Sequence, residues 1–122
     1  MAATQPSQMS QNAAGLVCYI LGWITGLIMY FVDKRPYVRF HAAQSIVVFG
    51  SLHILAFVVG AFFGMSILAG GFAGFGLGVA LYWIVHIVAF VLWIVLMIKA
   101  YQGEKFRVPF AADIAEKIFG KY

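Results

Sequence analysis

The sequence predicts an all-α membrane protein with three transmembrane helices and a C-terminal amphipathic interfacial helix. Two observations lead to this fold class. Of the 122 residues, 64% are hydrophobic and only 10% are charged, whereas soluble domains carry about 25% charged residues. The charges are also segregated, because residues 13–32 and 42–98 contain no Asp, Glu, Lys or Arg. We therefore expect one membrane domain over residues 1–122, with a polar tail at 1–12.

The lengths of the uncharged stretches predict the spans. Residues 13–32 are long enough to cross a hydrocarbon core of about 30 Å as one helix. The stretch 42–98 is too long for one helix and suits two. Its connection falls within 69–78, where five of the ten residues are Gly, the residue least suited to a helix after Pro. The second helix is therefore predicted at 42–65 and the third at 79–99.

The basic residues predict the orientation. All eight Lys and Arg lie either between the first and second predicted helices or from the last residue of the third, Lys99, onward. With three spans these two regions share one side, which the positive-inside rule makes cytoplasmic. We expect a multi-pass protein of the cytoplasmic membrane, with its N-terminus outside and its C-terminus in the cytoplasm. The leading tail has no Lys or Arg, so the first span is predicted to be an anchor and not a cleaved signal peptide.

The segment 110–119 predicts a short amphipathic helix. One face of the helical wheel carries apolar side chains and the other carries charges. The apolar face comprises Phe110, Ala111, Ile114 and Ile118, with Phe119 at its edge. Such a helix beside a span is expected to lie in the headgroup plane. The alternative is that it caps the helix bundle.

Polar residues open the second predicted span. Arg39 lies at the membrane edge, where it can reach lipid phosphates. His41, Gln44 and Ser45 are spaced i, i+3 and i+4, so they share one helix face. This face either meets headgroups or turns inward as a polar seam that holds the helices together. We favour the inward arrangement.

Glycine pairs indicate close helix approach. Gly22 and Gly26 in the first span, and Gly60 and Gly64 in the second, each form a GxxxG pattern. Small residues at this spacing let two helix backbones approach closely. Self-association of the chain, or association with other membrane proteins, is therefore expected.

Two histidines, His53 and His86, are predicted to lie at similar depth inside the bilayer, because the helices that carry them run in opposite directions. Their favoured role is packing through hydrogen bonds between helices. The alternative is axial ligation of a b-type haem. We expect no cofactor and no metal ion. The single cysteine, Cys18, rules out an internal disulfide.

Recognised catalytic motifs are missing from the sequence, and no acidic residue lies within a predicted span. We therefore expect no catalytic residues and no enzymatic activity. Nucleic-acid binding is not expected either, because the basic residues form no dense arm with interleaved aromatics. The expected partners are the lipid bilayer and other membrane proteins, including further copies of this chain.

Two motifs carry a family resemblance. "YVRFHAAQS", from Tyr37 to Ser45, and "KAYQGEKFRVP", from Lys99 to Pro109, resemble a family of small prokaryotic membrane proteins of uncharacterised function. That family is similar to the membrane channel component of the chloroplast import translocon, the Tic family, whose plastid members have four helices. The resemblance implies a helical membrane fold. The function predicted is an assembly or interaction component of the cytoplasmic membrane. The alternatives are an oligomeric, Tic-like translocation element and a haem-binding electron carrier.

Overall fold

The computed structural model describes residues 9–72 and 74–121, and within these residues the regular structure is entirely helical. Two of the helices are long and apolar enough to cross a membrane, namely α3 and α4. The helices in chain order are α1 (Gln11–Ile20), α2 (Trp23–Val32), α3 (Pro36–Leu68), α4 (Phe75–Tyr101) and α5 (Ala111–Phe119). The helical fold expected from composition is thus observed, with helix boundaries that differ from the predicted ones.

The pair α3–α4 contains the second and third predicted spans and extends both. α3 begins at Pro36 and not at residue 42, because a proline at the first helical position lacks only an N–H that would have no intrahelical partner there. α4 begins at Phe75 and not at residue 79. The glycine at position 78 is explained by close approach, since a Cβ there would lie 2.5 Å from the Phe63 side chain.

The prediction of one continuous span over 13–32 is wrong. This segment forms two ten-residue helices, α1 and α2, separated by a turn at Leu21 and Gly22. Gly22 has φ +65°, in the left-handed region that glycine adopts without steric cost. The chain therefore reverses direction at residues 21–22 and α2 runs back along the path of α1.

Contacts along α3 establish this reversal. The Met9 carbonyl, just before α1, accepts a hydrogen bond of 2.9 Å from Arg35, just after α2. The turn lies farther along α3, where Gly22 is next to Phe49. The Tyr30 carbonyl, near the end of α2, accepts from Arg39 at 3.2 Å. Both ends of the α1–α2 pair are thus at the start of α3, and we call this pair the re-entrant hairpin.

The re-entrant hairpin covers only part of the α3–α4 pair. Its turn is level with Phe49, which is 13 residues beyond Pro36 and therefore about 20 Å along α3 at about 1.5 Å per residue. The 33 residues of α3 extend to about 50 Å by the same rise. Below, the charged half means the hairpin, α5 and the parts of α3 and α4 beside them. The glycine half means residues 50–68 and 75–92.

The hairpin also corrects the predicted orientation of the two ends. Met9 lies beside Arg35, and the Asn12 side chain lies 3.4 Å from the position of a Cβ on Gly103. Residues 9–12 and the segment after α4 are therefore at the same end of the molecule, and not at opposite ends. Of the predicted polar tail 1–12, residues 1–8 lie outside the described residues.

Helix α5 packs against the charged end of α3 with its small residues. Ala112 and Ala115 are buried, and the Tyr30 ring lies 5.0 Å from the Phe119 ring. Ile114 and Ile118 of the predicted apolar face point outward instead. The helix therefore caps the bundle and still presents apolar side chains to its surroundings.

Candidate functional site

The hairpin turn needs partners for its backbone groups, because hydrocarbon supplies none. Side chains from three helices provide them. Ser45 Oγ donates to the Gly22 carbonyl at 2.9 Å, and Trp93 Nε1 donates to the Tyr19 carbonyl at 2.7 Å. Thr25 Oγ1 accepts from the Leu21 N–H at 3.0 Å. The turn is therefore closed by hydrogen bonds to α2, α3 and α4.

Four buried side chains form the centre of the charged half, and we call them the polar seam: Tyr19, His41, Gln44 and Ser45. None has any exposed surface. Tyr19 Oη lies 2.8 Å from His41 Nδ1, and Gln44 Nε2 donates to Tyr19 Oη at 3.1 Å. The structure thus places the three predicted polar residues of α3 inward and joins two of them to a tyrosine of α1.

The hydrogen-bond directions in the seam follow from the number of protons available. Tyr19 Oη accepts from Gln44, so its own proton is available for His41 Nδ1. The remaining proton of a neutral imidazole then sits on Nε2 of His41. Nε2 is buried and has no hydrogen-bond partner of full geometry within the described residues, although it faces the backbone of Glu104.

Gln44 also holds the loop between α4 and α5. Its Nε2 donates to the Phe106 carbonyl at 2.8 Å, and its Oε1 accepts from the Val108 N–H at 2.9 Å. These two loop partners fix which end of the amide is nitrogen. One glutamine therefore connects α1, α3 and the loop, and the loop backbone is drawn into the bundle by a side chain that mimics a peptide group.

Arg39, which was predicted to reach lipid phosphates, contacts protein near the start of α3. Its Nε donates to the Tyr30 carbonyl at 3.2 Å, and its guanidinium carbon lies 4.3 Å from the centre of the Tyr30 ring. A guanidinium over an aromatic face is favourable in water and more so when desolvated. Arg39 therefore fastens the end of α2 to α3.

In the described part of the chain, three groups of ion pairs lie at the same end of the molecule, and one of them joins Lys99 to Glu104 at 3.4 Å. Arg35 binds Asp33 through both of its oxygens, at 3.0 and 2.6 Å, and this hydrogen bonding lowers the pKa of the Asp33 carboxyl. Arg107 bridges Asp113 and Glu116 of α5. Its hydrogen bond to Glu116 lowers the pKa of that carboxyl. The loop before α5 is thereby tied to the first turns of the helix.

The predicted glycine pairs play different parts. Gly22 makes the hairpin turn, and Gly26 allows α2 to approach α3, since a Cβ there would lie 2.9 Å from Ser45 Cβ. A Cβ on Gly60 would lie 3.6 Å from the Tyr82 ring, an ordinary contact distance. A Cβ on Gly64 would meet no atom within 4 Å, so this residue leaves an open position on the surface of α3.

His53 and His86 both line one groove in the glycine half. The groove has a volume of about 710 Å³ and lies between α3 and α4, with the hairpin turn at its floor. Trp23 lies edge-on to His53 with ring centres 6.3 Å apart. His86 Nδ1 lies 2.9 Å from the Tyr82 carbonyl. A carbonyl can only accept, so Nδ1 carries the proton and Nε2 of a neutral His86 is bare.

Sequence reasoning missed two members of this site, Tyr19 and Trp93. The polar atom of Tyr19 completes the seam, and that of Trp93 completes the turn. A signal for Tyr19 exists in hindsight. A helix that buries His41, Gln44 and Ser45 needs polar partners on a neighbouring helix, and Tyr19, with Cys18, offers the only polar side-chain atoms of α1 between Gly15 and Ile20.

A membrane helix pair, a re-entrant hairpin and an interior polar seam define a small α-helical membrane protein. The chain belongs to the MamF/MmsF family, described as the magnetosome magnetite crystal formation protein family, whose model matches residues 7–115. The earlier resemblance to a small prokaryotic membrane family is supported by this match. The similarity to the Tic family stays a prediction.

Curated relatives of the chain are described as UPF0132 membrane proteins. A UPF0132 membrane protein of Methanocaldococcus jannaschii is 40% identical over 110 residues, which cover 89% of this chain and 88% of that protein. A second one from the same organism is 35% identical over 115 residues, covering 93% of this chain and 74% of that protein. A UPF0132 membrane protein of Archaeoglobus fulgidus is 37% identical over 113 residues, covering 92% and 98%. No solved structure matches the chain.

Proposed function

We propose that the protein is a non-enzymatic assembly component of the cytoplasmic membrane, which associates with other membrane proteins through the glycine half of α3 and α4. The observation that carries this proposal is the contrast between the two halves. The polar side chains of the charged half are engaged in holding the chain together. The glycine half exposes large apolar side chains on both helices, including Phe57, Phe62 and Ile84.

The exposed surface of the glycine half suits helix–helix association. Open positions at Gly64 and Gly76, where a Cβ would meet nothing within 4 Å, leave room for a neighbouring backbone. Small residues at membrane interfaces permit such close approach, and packing then stabilises the pair. The exposed apolar side chains around them provide the contact area. This arrangement favours a partner that is itself a transmembrane helix.

Site-specific photo-crosslinking in native membranes tests this role. A photoreactive residue at Phe62 or Ile84 is expected to form protein adducts, which can be identified by mass spectrometry. The matched control is Ile28, which is also exposed but lies on the hairpin, and it should yield lipid adducts only. Protein adducts confined to Ile28, or absent from all three positions, would overturn the proposal. The masses also separate a second copy of this chain from a different partner.

A second candidate function is binding of a b-type haem in the groove, which would make the protein an electron carrier. It is favoured by the common groove of His53 and His86 and by the bare Nε2 of His86 that its bond to Tyr82 implies. Two axial imidazoles suffice for haem iron, since the porphyrin supplies the remaining ligands. The groove also falls within the range of about 300–1,000 Å³ typical of cofactor clefts.

Optical spectroscopy tests the haem candidate. Protein purified from haem-replete cells should show a Soret band, and His53→Ala and His86→Ala should each abolish its six-coordinate character. Ala56→Trp, which fills the groove, should remove binding without touching an imidazole. The control Ser51→Trp places the same bulk on the exposed surface outside the groove. A wild-type protein that remains colourless and shows no change on titration with haemin excludes this function.

A further inference from the structure

The molecule occupies different amounts of space at its two ends. In the charged half, α1 and α2 pack beside α3 and α4, and α5 adds a fifth helix. In the glycine half, the described residues provide only α3 and α4, because the hairpin turns back at the level of Phe49. The cross-section is therefore about four helices wide in one leaflet of the bilayer and two helices wide in the other.

The hairpin fills space that lipid would otherwise occupy. Its outward side chains are large and apolar, and Leu27, Ile28, Phe31 and Val32 are exposed. Such a surface is favourable against acyl chains and unfavourable in water. The hairpin thus lies among the acyl chains of one leaflet and displaces lipid there.

Helix α5 adds further area to the same leaflet. Phe110, Ile114 and Ile118 are exposed apolar residues on or beside it, with exposed fractions of 82%, 46% and 65%. Its buried side is occupied by Ala112 and Ala115, so these larger residues remain available to lipid. Lys117, on an exposed part of the same helix, can meet anionic headgroups. Amphipathic helices at this depth bind in a manner that depends on membrane curvature.

From these observations we propose that the protein is wedge-shaped and favours curved membranes, with the leaflet of the charged half on the convex side. A leaflet that holds four helices and an inserted α5 is expanded relative to its partner leaflet, and bending toward the other leaflet relieves the difference. This inference goes beyond the assembly role. It requires no protein partner, so it is tested with the purified chain alone.

Reconstitution into vesicles of two sizes tests the wedge. The full-length protein is incorporated into small and large unilamellar vesicles of phosphatidylcholine and phosphatidylglycerol, labelled with a fluorescent lipid. The protein-to-lipid ratio is expected to be severalfold higher in the small vesicles, whose outer leaflet is strongly convex. Trypsin added outside should cleave a larger fraction of the protein in the small vesicles, at exposed basic residues such as Lys105 and Lys117, because the charged half should face outward there.

Variants of α5 separate its contribution from that of the hairpin. Ile114→Ser with Ile118→Ser should reduce the enrichment in small vesicles, since both side chains are exposed and their loss leaves the buried contacts of α5 intact. Ile114→Leu with Ile118→Leu retains the apolar area and should behave as wild type. Equal protein density in both vesicle sizes, or small vesicles with the charged half facing inward, would overturn the inference. The crosslinking experiment at Phe62 does not depend on the vesicle result, so the wedge shape and the assembly role can be contradicted separately.

Discussion

The two halves of this molecule use the same apolar composition in opposite ways. In the charged half, polar side chains are buried and connected, and α1, α2, α3 and the loop before α5 are held by specific hydrogen bonds. In the glycine half, two helices touch through small residues and a few rings, and most of the large side chains are exposed. The charged half thus fixes a single arrangement, while the glycine half offers a surface.

This difference shows which interactions specify structure inside a bilayer. Apolar contacts favour one helix arrangement over another only weakly there, because lipid chains are as apolar as the side chains. Hydrogen bonds such as those of Gln44 favour one arrangement strongly, because hydrocarbon offers no water to satisfy a polar group that loses its partner. A single packing arrangement is therefore expected in the charged half, which contains Gln44 and its partners. Less specific helix packing is expected in the glycine half.

The first and largest test of the comparison concerns topology, where the outcome is all or none. In a Cys18→Ala background, Ser10→Cys and Lys34→Cys should react with a membrane-impermeant thiol reagent from the same side of the membrane. Gly71→Cys should react from the opposite side. The reason is the hydrogen bond between Met9 and Arg35, which places both ends of the hairpin together. If Ser10→Cys is labelled from the same side as Gly71→Cys, residues 11–32 cross the membrane once. The three-span arrangement would then be correct, and the hairpin would not exist.

The second test removes the seam. His41→Leu combined with Gln44→Leu eliminates the hydrogen bonds to Tyr19, Phe106 and Val108. Interhelical hydrogen bonds in membranes contribute about 0.6 kcal/mol each, and each buried group left unpaired costs a further 1–3 kcal/mol or so. The melting temperature in detergent should fall clearly below that of the control Ile46→Leu with Val47→Leu. If the two variants melt alike, the seam does not stabilise the charged half.

The third test compares Gly26 and Gly64, each of which is the second glycine of a GxxxG pair. Gly26→Ala places a methyl group 2.9 Å from Ser45 Cβ and should destabilise the protein by about 1–3 kcal/mol, as overpacking does. Gly64→Ala meets open space and should change stability by no more than about 1 kcal/mol, in the stabilising direction, since alanine is the better helix former. Chemical unfolding in detergent measures both. A larger loss for Gly64→Ala than for Gly26→Ala would contradict the assignment of the two halves.

The smallest expected effect is the pH dependence of α5. The hydrogen bond from Arg107 lowers the pKa of Glu116 below its usual 4.5. The contribution of this pair is therefore fully present above that pH and is lost as the pH falls through the lowered pKa. The hydrogen-exchange protection factors of residues 111–119, corrected for the intrinsic exchange rate at each pH, should fall over this acidic range, while those at the seam stay unchanged. Glu116→Gln should remove most of the dependence, and an unaltered pH profile in that variant would show that another group is responsible.

The features that composition controls could be predicted from the sequence. The long uncharged stretch, the glycine connection and the polar face at His41, Gln44 and Ser45 all correspond to observed structure, because helices in hydrocarbon need apolar surfaces and polar groups need partners. The apolar run 13–32 could not be resolved in the same way. Twenty apolar residues suit one span or two half-length helices equally well, and Gly22, which decides between them through its backbone conformation, also fits a GxxxG pattern.

The orientation of α5 could not be predicted for a related reason. An amphipathic pattern reveals which face is apolar, and in a soluble protein that face is the buried one. Beside a bilayer the outward face is also apolar, so the buried side of α5 is marked by residue size instead. Ala112 and Ala115 face the bundle because they are small, while Ile114 and Ile118 face outward.

The partners of the hairpin turn also determine the order in which its hydrogen bonds can form while the chain is being synthesised. The Gly22 carbonyl is bound by Ser45, 23 residues later in the chain, and the Tyr19 carbonyl is bound by Trp93, 74 residues later. A nascent chain that has emerged only as far as α3 does not yet contain Trp93. The hairpin turn therefore acquires its full set of hydrogen bonds only after most of α4 has been made, and Gln44 waits longer still, until Phe106 and Val108 follow.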